Sequence, residues 1–189
     1  MWQKCARVAG AHPGRGLAIG SAPFLLEVRA PMEPEKIKHL LAMSGFGAVT
    51  VAAAALAAQF KPGAWYRGLH KPWYQPPRWV FAPVWTALYT LMATSGYRVW
   101  RSPPSADRTR ALGFWGAQLG LNVAWTWLFF GQQSPRAALL DIGLLRVAIE
   151  GYSTAARSVV PDADWMIAPY RGWVSFATLL NADIARHNP

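Results

Sequence analysis

The sequence predicts an all-α fold, an integral membrane bundle of five transmembrane helices, and three observations predict it. Five apolar stretches, each close to the ~20 residues that a ~30 Å hydrocarbon layer requires, alternate with short segments rich in Pro, Gly and charge. Only 15% of the 189 residues are charged while 53% are hydrophobic, and a soluble domain usually carries about a quarter charged residues. Eleven tryptophans add a residue type that collects where an apolar body meets a wet edge. Inside lipid only a helix or a closed barrel satisfies every backbone group, and no period-2 pattern is present, so the spans are read as helices.

Taken in order, residues 1–31 are basic and short of acids, and they lack a convincing apolar signal core. They read as an N-terminal extension, either a targeting peptide or sequence upstream of a natural start at Met32, with the bundle occupying 32–189. The first span covers about 39–60. Lys61 to Arg78 follows as a loop, because Pro72, Pro76 and Pro77 each remove a backbone donor and clash with a preceding turn. The second span, 80–100, carries Pro83 early enough to sit in a first helical turn. SPPS then separates it from a third span at 111–130, a short segment from Gly131 to Arg136 leads to the fourth at 137–157, and PDAD precedes the fifth at 166–185. Connectors this short make successive helices antiparallel neighbours in one bundle.

Helical geometry sorts the third span into two faces. At about 100° per residue, Gly116, Gly120 and Ala124 form a small-residue stripe, while Gln118, Asn122 and Trp125 cluster nearly opposite. The stripe permits close backbone approach, to a second subunit as a dimer interface or to another helix of the same bundle. The amides need partners at bilayer depth, either across helices or in a polar corner of a cavity. Arg146 and Glu150 fall near the middle of the fourth span, where each central charge costs ~2.5–3.5 kcal/mol on insertion scales. Their i,i+4 spacing predicts a pair, and Arg171, near one end of the fifth span, is expected to snorkel. A solvated helix face is the competing explanation of these charges.

Several functional classes are excluded. The formal charge of +10 is dispersed between apolar runs, with no basic stripe, so a nucleic-acid partner is not expected. Cys5 is the only cysteine, which rules out an intrachain disulfide and a cysteine-based metal site. His12, His39, His70 and His187 show no metal-ligand spacing, and no Ser-His-Asp or paired-carboxylate arrangement stands out, so no catalytic residue and no metal ligand is assigned.

Three segments carry a family resemblance: WYRGLHKPWYQPPRWVFAPVWTALY from Trp65, GAQLGLNVAWTWLFFG from Gly116 and APYRGWVSFATLLNADIARHNP from Ala168. Together they resemble the translocator protein family, also called tryptophan-rich sensory proteins or peripheral-type benzodiazepine receptors, from about Ala48 to the C-terminus. The resemblance implies a five-helix membrane bundle, often a homodimer, in a bacterial cell membrane or an organellar membrane such as the mitochondrial outer membrane. It implies binding of porphyrins such as protoporphyrin IX or heme as ligands rather than obligatory cofactors, and also of sterols and aromatic drug-like molecules.

Residue by residue, Trp85, Asn122, Trp125, Trp173 and Ala177 match family ligand positions, and Phe81 lies one turn before Trp85. The loop would roof the pocket, with Trp65, Trp73 and Trp79 stacking on a flat macrocycle and Lys71 or Arg78 meeting a propionate. The alternative for these loop residues is an interfacial aromatic belt with its cations facing lipid headgroups. The family's sterol-recognition pattern needs a tyrosine after the LN pair, and LLNADIAR has none. A sensor or carrier for tetrapyrroles, an enzyme degrading porphyrin with light or oxygen, and a structural membrane adaptor are the three functions to separate.

Overall fold

The computed structural model describes residues 33–188, so the expectations for residues 1–31 lie outside the described residues. The elements are α1 (Pro34–Ala57), a short α2 (Ala64–Gly68), α3 (Arg78–Arg101), α4 (Ala106–Thr126), α5 (Pro135–Val159) and α6 (Pro161–His187). The chain leaves α4 through a π-helical turn at Trp127–Gly131, and no strand occurs among the described residues. The fold is all-α, and each apolar stretch coincides with one of the five long helices. By length and composition, α1 alone among the described residues is apolar enough to cross a membrane, with mean hydropathy 1.9 over its best stretch.

Local chemistry explains the boundaries. Prolines open α1, α5 and α6, where a missing N–H costs nothing. The Ser105 hydroxyl accepts from the Arg108 amide at 3.0 Å and caps α4, with Asp107 adding a negative charge to the first turn. Pro83 is placed differently from the expectation. Because α3 already begins at Arg78, Pro83 falls in its second turn and leaves the Trp79 carbonyl without a helical donor. The first helix ends at Ala57 rather than near residue 60, where Gly63 and Pro62 turn the chain.

The core is built chiefly by α4 against α5 and α5 against α6. Met92, Val99, Leu119, Ile149, Tyr152, Ile167 and Tyr170 are buried in it. Only Thr50 is buried on α1, which packs on α3 and α4 through Phe46 and Ala53. Trp115 pins this side: its indole N–H donates to the Met92 carbonyl at 2.9 Å and Phe46 meets it edge-on at 4.8 Å. Gly96 is required there, because a Cβ would lie 2.5 Å from Trp115 Nε1. Gly151 similarly makes room for Phe114, 2.6 Å from where a Cβ would sit.

One expectation about charge fails. Arg146 and Glu150 do not pair; Glu150 is held across helices by Arg171, whose Nε and Nη2 donate to its two oxygens at 3.1 and 2.8 Å. A fork-to-fork arrangement between helices satisfies both groups better than an i,i+4 contact does. Arg146 faces outward with no ion-pair partner among the described residues. The small stripe does not pack inside the bundle either: Gly116 and Gly120 are exposed and a Cβ on either would meet nothing within 4 Å.

Candidate ligand cavity

The start of α3, the end of α4 and the end of α6 diverge around a cavity of ≈ 530 Å³, with the end of α1 and the following loop closing another side. All six residues assigned to a ligand wall line it: Phe81 and Trp85 from α3, Asn122 and Trp125 from α4, Trp173 and Ala177 from α6. The i,i+4 spacings within α3 and α6 place each pair on one face, and Phe81 meets Trp173 edge-on at 5.7 Å across the gap. Trp85 lies against Tyr89 at 5.2 Å, and Trp125 stacks on Phe129 at 5.2 Å. The volume falls within the ~300–1,000 Å³ usual for small-molecule sites, and so does the pattern of apolar walls with few polar groups.

Those polar groups are organised in two sets. Asn122 accepts from the Tyr89 hydroxyl at 2.9 Å and donates through Nδ2 to the Tyr170 hydroxyl at 3.3 Å. Trp125 donates its indole N–H to Asn181 Oδ1 at 2.9 Å, while Asn181 Nδ2 donates to the Pro135 carbonyl at 2.8 Å. Each amide is thus held in one orientation by partners on other helices, which removes the cost of placing it beside an apolar space. Gln118, one turn before Asn122, is buried without a hydrogen-bond partner among the described residues and does not line the cavity.

The loop contributes, but through other residues than those assigned as its lid. Phe60, Lys61, Pro62 and Tyr66 line the cavity; Trp65, Lys71, Trp73, Arg78 and Trp79 do not. Trp65 packs edge-on against Phe129 at 6.0 Å. Lys71 folds back, donating to the carbonyls of Arg67 and Leu69 at 3.1 and 3.0 Å, with its ammonium 5.0 Å above the Tyr66 ring. Trp73 is 94% exposed and Trp79 74% exposed, and neither lines the cavity. Arg78 is exposed, yet its charge acts on Tyr66, whose hydroxyl burial pushes up and Arg78 partly offsets. Lys61 is the one charged residue among the lining residues. Sequence reasoning missed Lys61, Tyr66, Tyr89 and Asn181; the last two lay within reach, since each follows a recognised wall residue by one turn.

The loop is moored to the last turns of α6. The His70 amide donates to Asn188 Oδ1 at 2.9 Å, and Asn188 Nδ2 returns a bond to the His70 carbonyl at 3.0 Å. The Tyr74 hydroxyl donates to Asp183 at 3.0 Å. A wider, open groove of ≈ 890 Å³ runs outside α4 and α5 past Arg110, Phe114, Arg146 and Glu150, and its charged groups form separate pairs, Arg110 with Asp107 and Glu150 with Arg171.

Residues 41–186 match the TspO/MBR family. The chain belongs to that family. It is 36% identical over 142 residues to the translocator protein of Bos taurus, covering 72% of this chain and 84% of that protein. To the tryptophan-rich sensory protein of Cereibacter sphaeroides it is 37% identical over 143 residues, 76% of this chain and 89% of the relative. To the tryptophan-rich protein TspO of Chlorobaculum tepidum it is 40% identical over 131 residues, 68% and 83% of the respective chains.

Proposed function

We propose that this protein is a membrane receptor or carrier that takes a porphyrin into the cavity between α3, α4 and α6. The observation that carries the reading is the convergence of Phe81, Trp85, Asn122, Trp125, Trp173 and Ala177 on one apolar space. Flat aromatic walls suit a macrocycle by offset or edge-to-face stacking, and Lys61, the one cation lining the space, would pair with a propionate in this reading, in place of Lys71 or Arg78. Family membership supports the membrane setting and the sensory role, in a bacterial or organellar membrane. The test is a titration with protoporphyrin IX, followed by tryptophan fluorescence and by product analysis under illumination. Saturable quenching without new products is expected; new porphyrin products would replace the receptor by an enzyme, and no saturable binding would leave a structural adaptor.

The apolar stretches carried by the five long helices, about 39–60, 80–100, 111–130, 137–157 and 166–185, are the membrane spans in this reading. Large apolar side chains stand exposed on the outside of the bundle, including Leu41 and Val51 on α1, Leu140, Leu144 and Val147 on α5 and Leu179 on α6, and a lipid contact accounts for such a surface. The open face at Gly116 and Gly120 is the proposed contact between two copies, with Ala124 half-buried one turn on. Gly120→Leu is expected to reduce crosslinked dimers in lipid. Undiminished dimers in that variant would move the interface elsewhere.

A further inference from the structure

Where the loop meets the end of α6, the imidazole rings of His70 and His187 lie side by side with centroids 5.3 Å apart and planes inclined by 41°. Nothing in the cavity needs this pair; neither residue lines it. We infer that His70 and His187 form a surface site for a divalent transition-metal ion, which staples the loop 61–78 to the end of α6.

Three features support the site. The first is spacing. A tetrahedral ion bound by imidazole nitrogens at about 2.0–2.1 Å places two ring centroids roughly 5 Å apart, close to the observed separation. The second is the state of His187. Its Nδ1 lies 2.9 Å from the Asp183 carbonyl and 3.0 Å from the Asp183 carboxylate. Both are acceptors, so Nδ1 is engaged as the donor on that side and Nε2 is the ring nitrogen left to face an ion, with a carboxylate fixing the ring from behind. The third is rigidity. Asn188 grips the backbone of His70 in both directions and also donates to the Ile184 carbonyl at 2.8 Å, while Asp183 is itself held by Tyr74. Both rings are therefore carried on anchored backbone, and little ordering remains to oppose binding.

The electrostatics agree. Asp183 supplies the negative charge behind His187, and Lys71, which follows His70 in the chain, is drawn back onto the carbonyls of Arg67 and Leu69. Both rings are solvent-exposed, so an ion reaches them from water. No third His, Cys, Asp or Glu joins as a ligand among the described residues, so the remaining positions belong to water. Histidine-seeking ions such as Zn²⁺ and Cu²⁺ fit two imidazoles; Mg²⁺ and Ca²⁺, which take oxygen ligands, do not.

The experiment uses the full chain, free of any affinity tag, in detergent or lipid discs and without porphyrin, so its outcome is independent of the cavity reading. Zn²⁺ and Mg²⁺ titrations are followed by calorimetry, and Cu²⁺ loading by electron paramagnetic resonance. One Zn²⁺ per chain, a two-nitrogen Cu²⁺ signal and no response to Mg²⁺ are expected. His70→Gln and His187→Gln should each weaken Zn²⁺ at least tenfold, while His39→Gln, on α1, leaves it unchanged. Zn²⁺ should slow amide exchange across residues 61–78 in the wild type and not in the two variants. Absent stoichiometric binding, or equal affinity in the wild type and both variants, would overturn the site. Binding without any change in loop exchange would overturn the staple.

Discussion

At one end of the bundle, the last turns of α3 and α5 meet the first turns of α6 through direct hydrogen bonds and ion pairs. Tyr152 donates to the Ser95 hydroxyl, which donates in turn to the Ala163 carbonyl at 3.1 Å. Arg98 reaches Asp162 at 3.1 Å, and Asp164 accepts from Ser153 and, at 2.6 Å, from Arg157. At the other end α3, α4 and α6 stand apart around aromatic rings, with hydrogen bonds across the gap supplied by the paired networks of Asn122 and Asn181. The first end spends its polar groups on joining helices. The second spends them on orienting a wall. The difference teaches where ordering is concentrated: a cavity with few direct helix-to-helix contacts persists because its opposite end is fastened.

The strongest way to break this contrast is to overfill the fastened end. Gly96→Val would drive a side chain into Trp115 and Phe46 and displace the indole from the Met92 carbonyl. Overpacking of this kind costs about 1–3 kcal/mol, read as a lowered thermal midpoint in detergent. A variant as stable as the wild type would show that this end is loosely packed.

Acid probes the same end more gently. Burial acts to raise the Asp164 carboxyl, but hydrogen bonds from Ser153 and Arg157 and the charges of Arg157 and Arg171 outweigh it and hold it below the usual range. The folded chain thus binds this proton less tightly than the unfolded chain does. Its contribution is complete above the ordinary carboxylate value of about 3.9 and is lost as pH falls through the lower folded value. Asp164→Asn is expected to cost about 1.5 kcal/mol at neutral pH and to flatten the fall in thermal midpoint on acidification. An unchanged acid profile would remove Asp164 from the fastening.

The cavity end should respond in affinity and hardly in stability. Trp85→Phe and Trp173→Phe keep most of the apolar filling but reduce the aromatic contact, worth about 0.5–1.5 kcal/mol, so protoporphyrin IX should bind roughly threefold to tenfold more weakly. Trp100→Phe, on the other end of α3, stacked beside Tyr97 and outside the cavity, serves as the control. Equal affinity in all three variants, with helical content intact, would make the wall tryptophans packing residues only.

Much of this architecture was legible in the sequence because apolar length, proline and helical spacing are local signals. Trp85 and Trp173 could be placed on one wall from periodicity and family likeness alone. The loop was less legible. Its prolines announced irregular backbone, but whether Trp73 faces the cavity or solvent depends on how Tyr74, His70 and Asn188 moor the chain, contacts separated by 109 and 118 residues. Long-range pairing also defeated the expectation for Glu150, since nothing near it in sequence points to Arg171. Lys61 was passed over as a breaker at a span's edge, a position from which its approach to the cavity cannot be read.

The π turn at Trp127–Gly131 bears on how this protein tolerates changes in length. A π turn holds one residue more than an α turn, so the residues after it emerge rotated relative to a continuous α-helix. Phe129 and Phe130, adjacent in sequence, both reach the aromatic group formed with Trp125 and Tyr66, which a uniform 3.6-residue wheel does not provide. Deleting a single residue here would let the ordinary helix run on and swing one phenylalanine outward, along with the entry to α5. The segment therefore works as a phase shifter between two halves of the chain, and insertions or deletions elsewhere in α4 would be felt at the cavity through it.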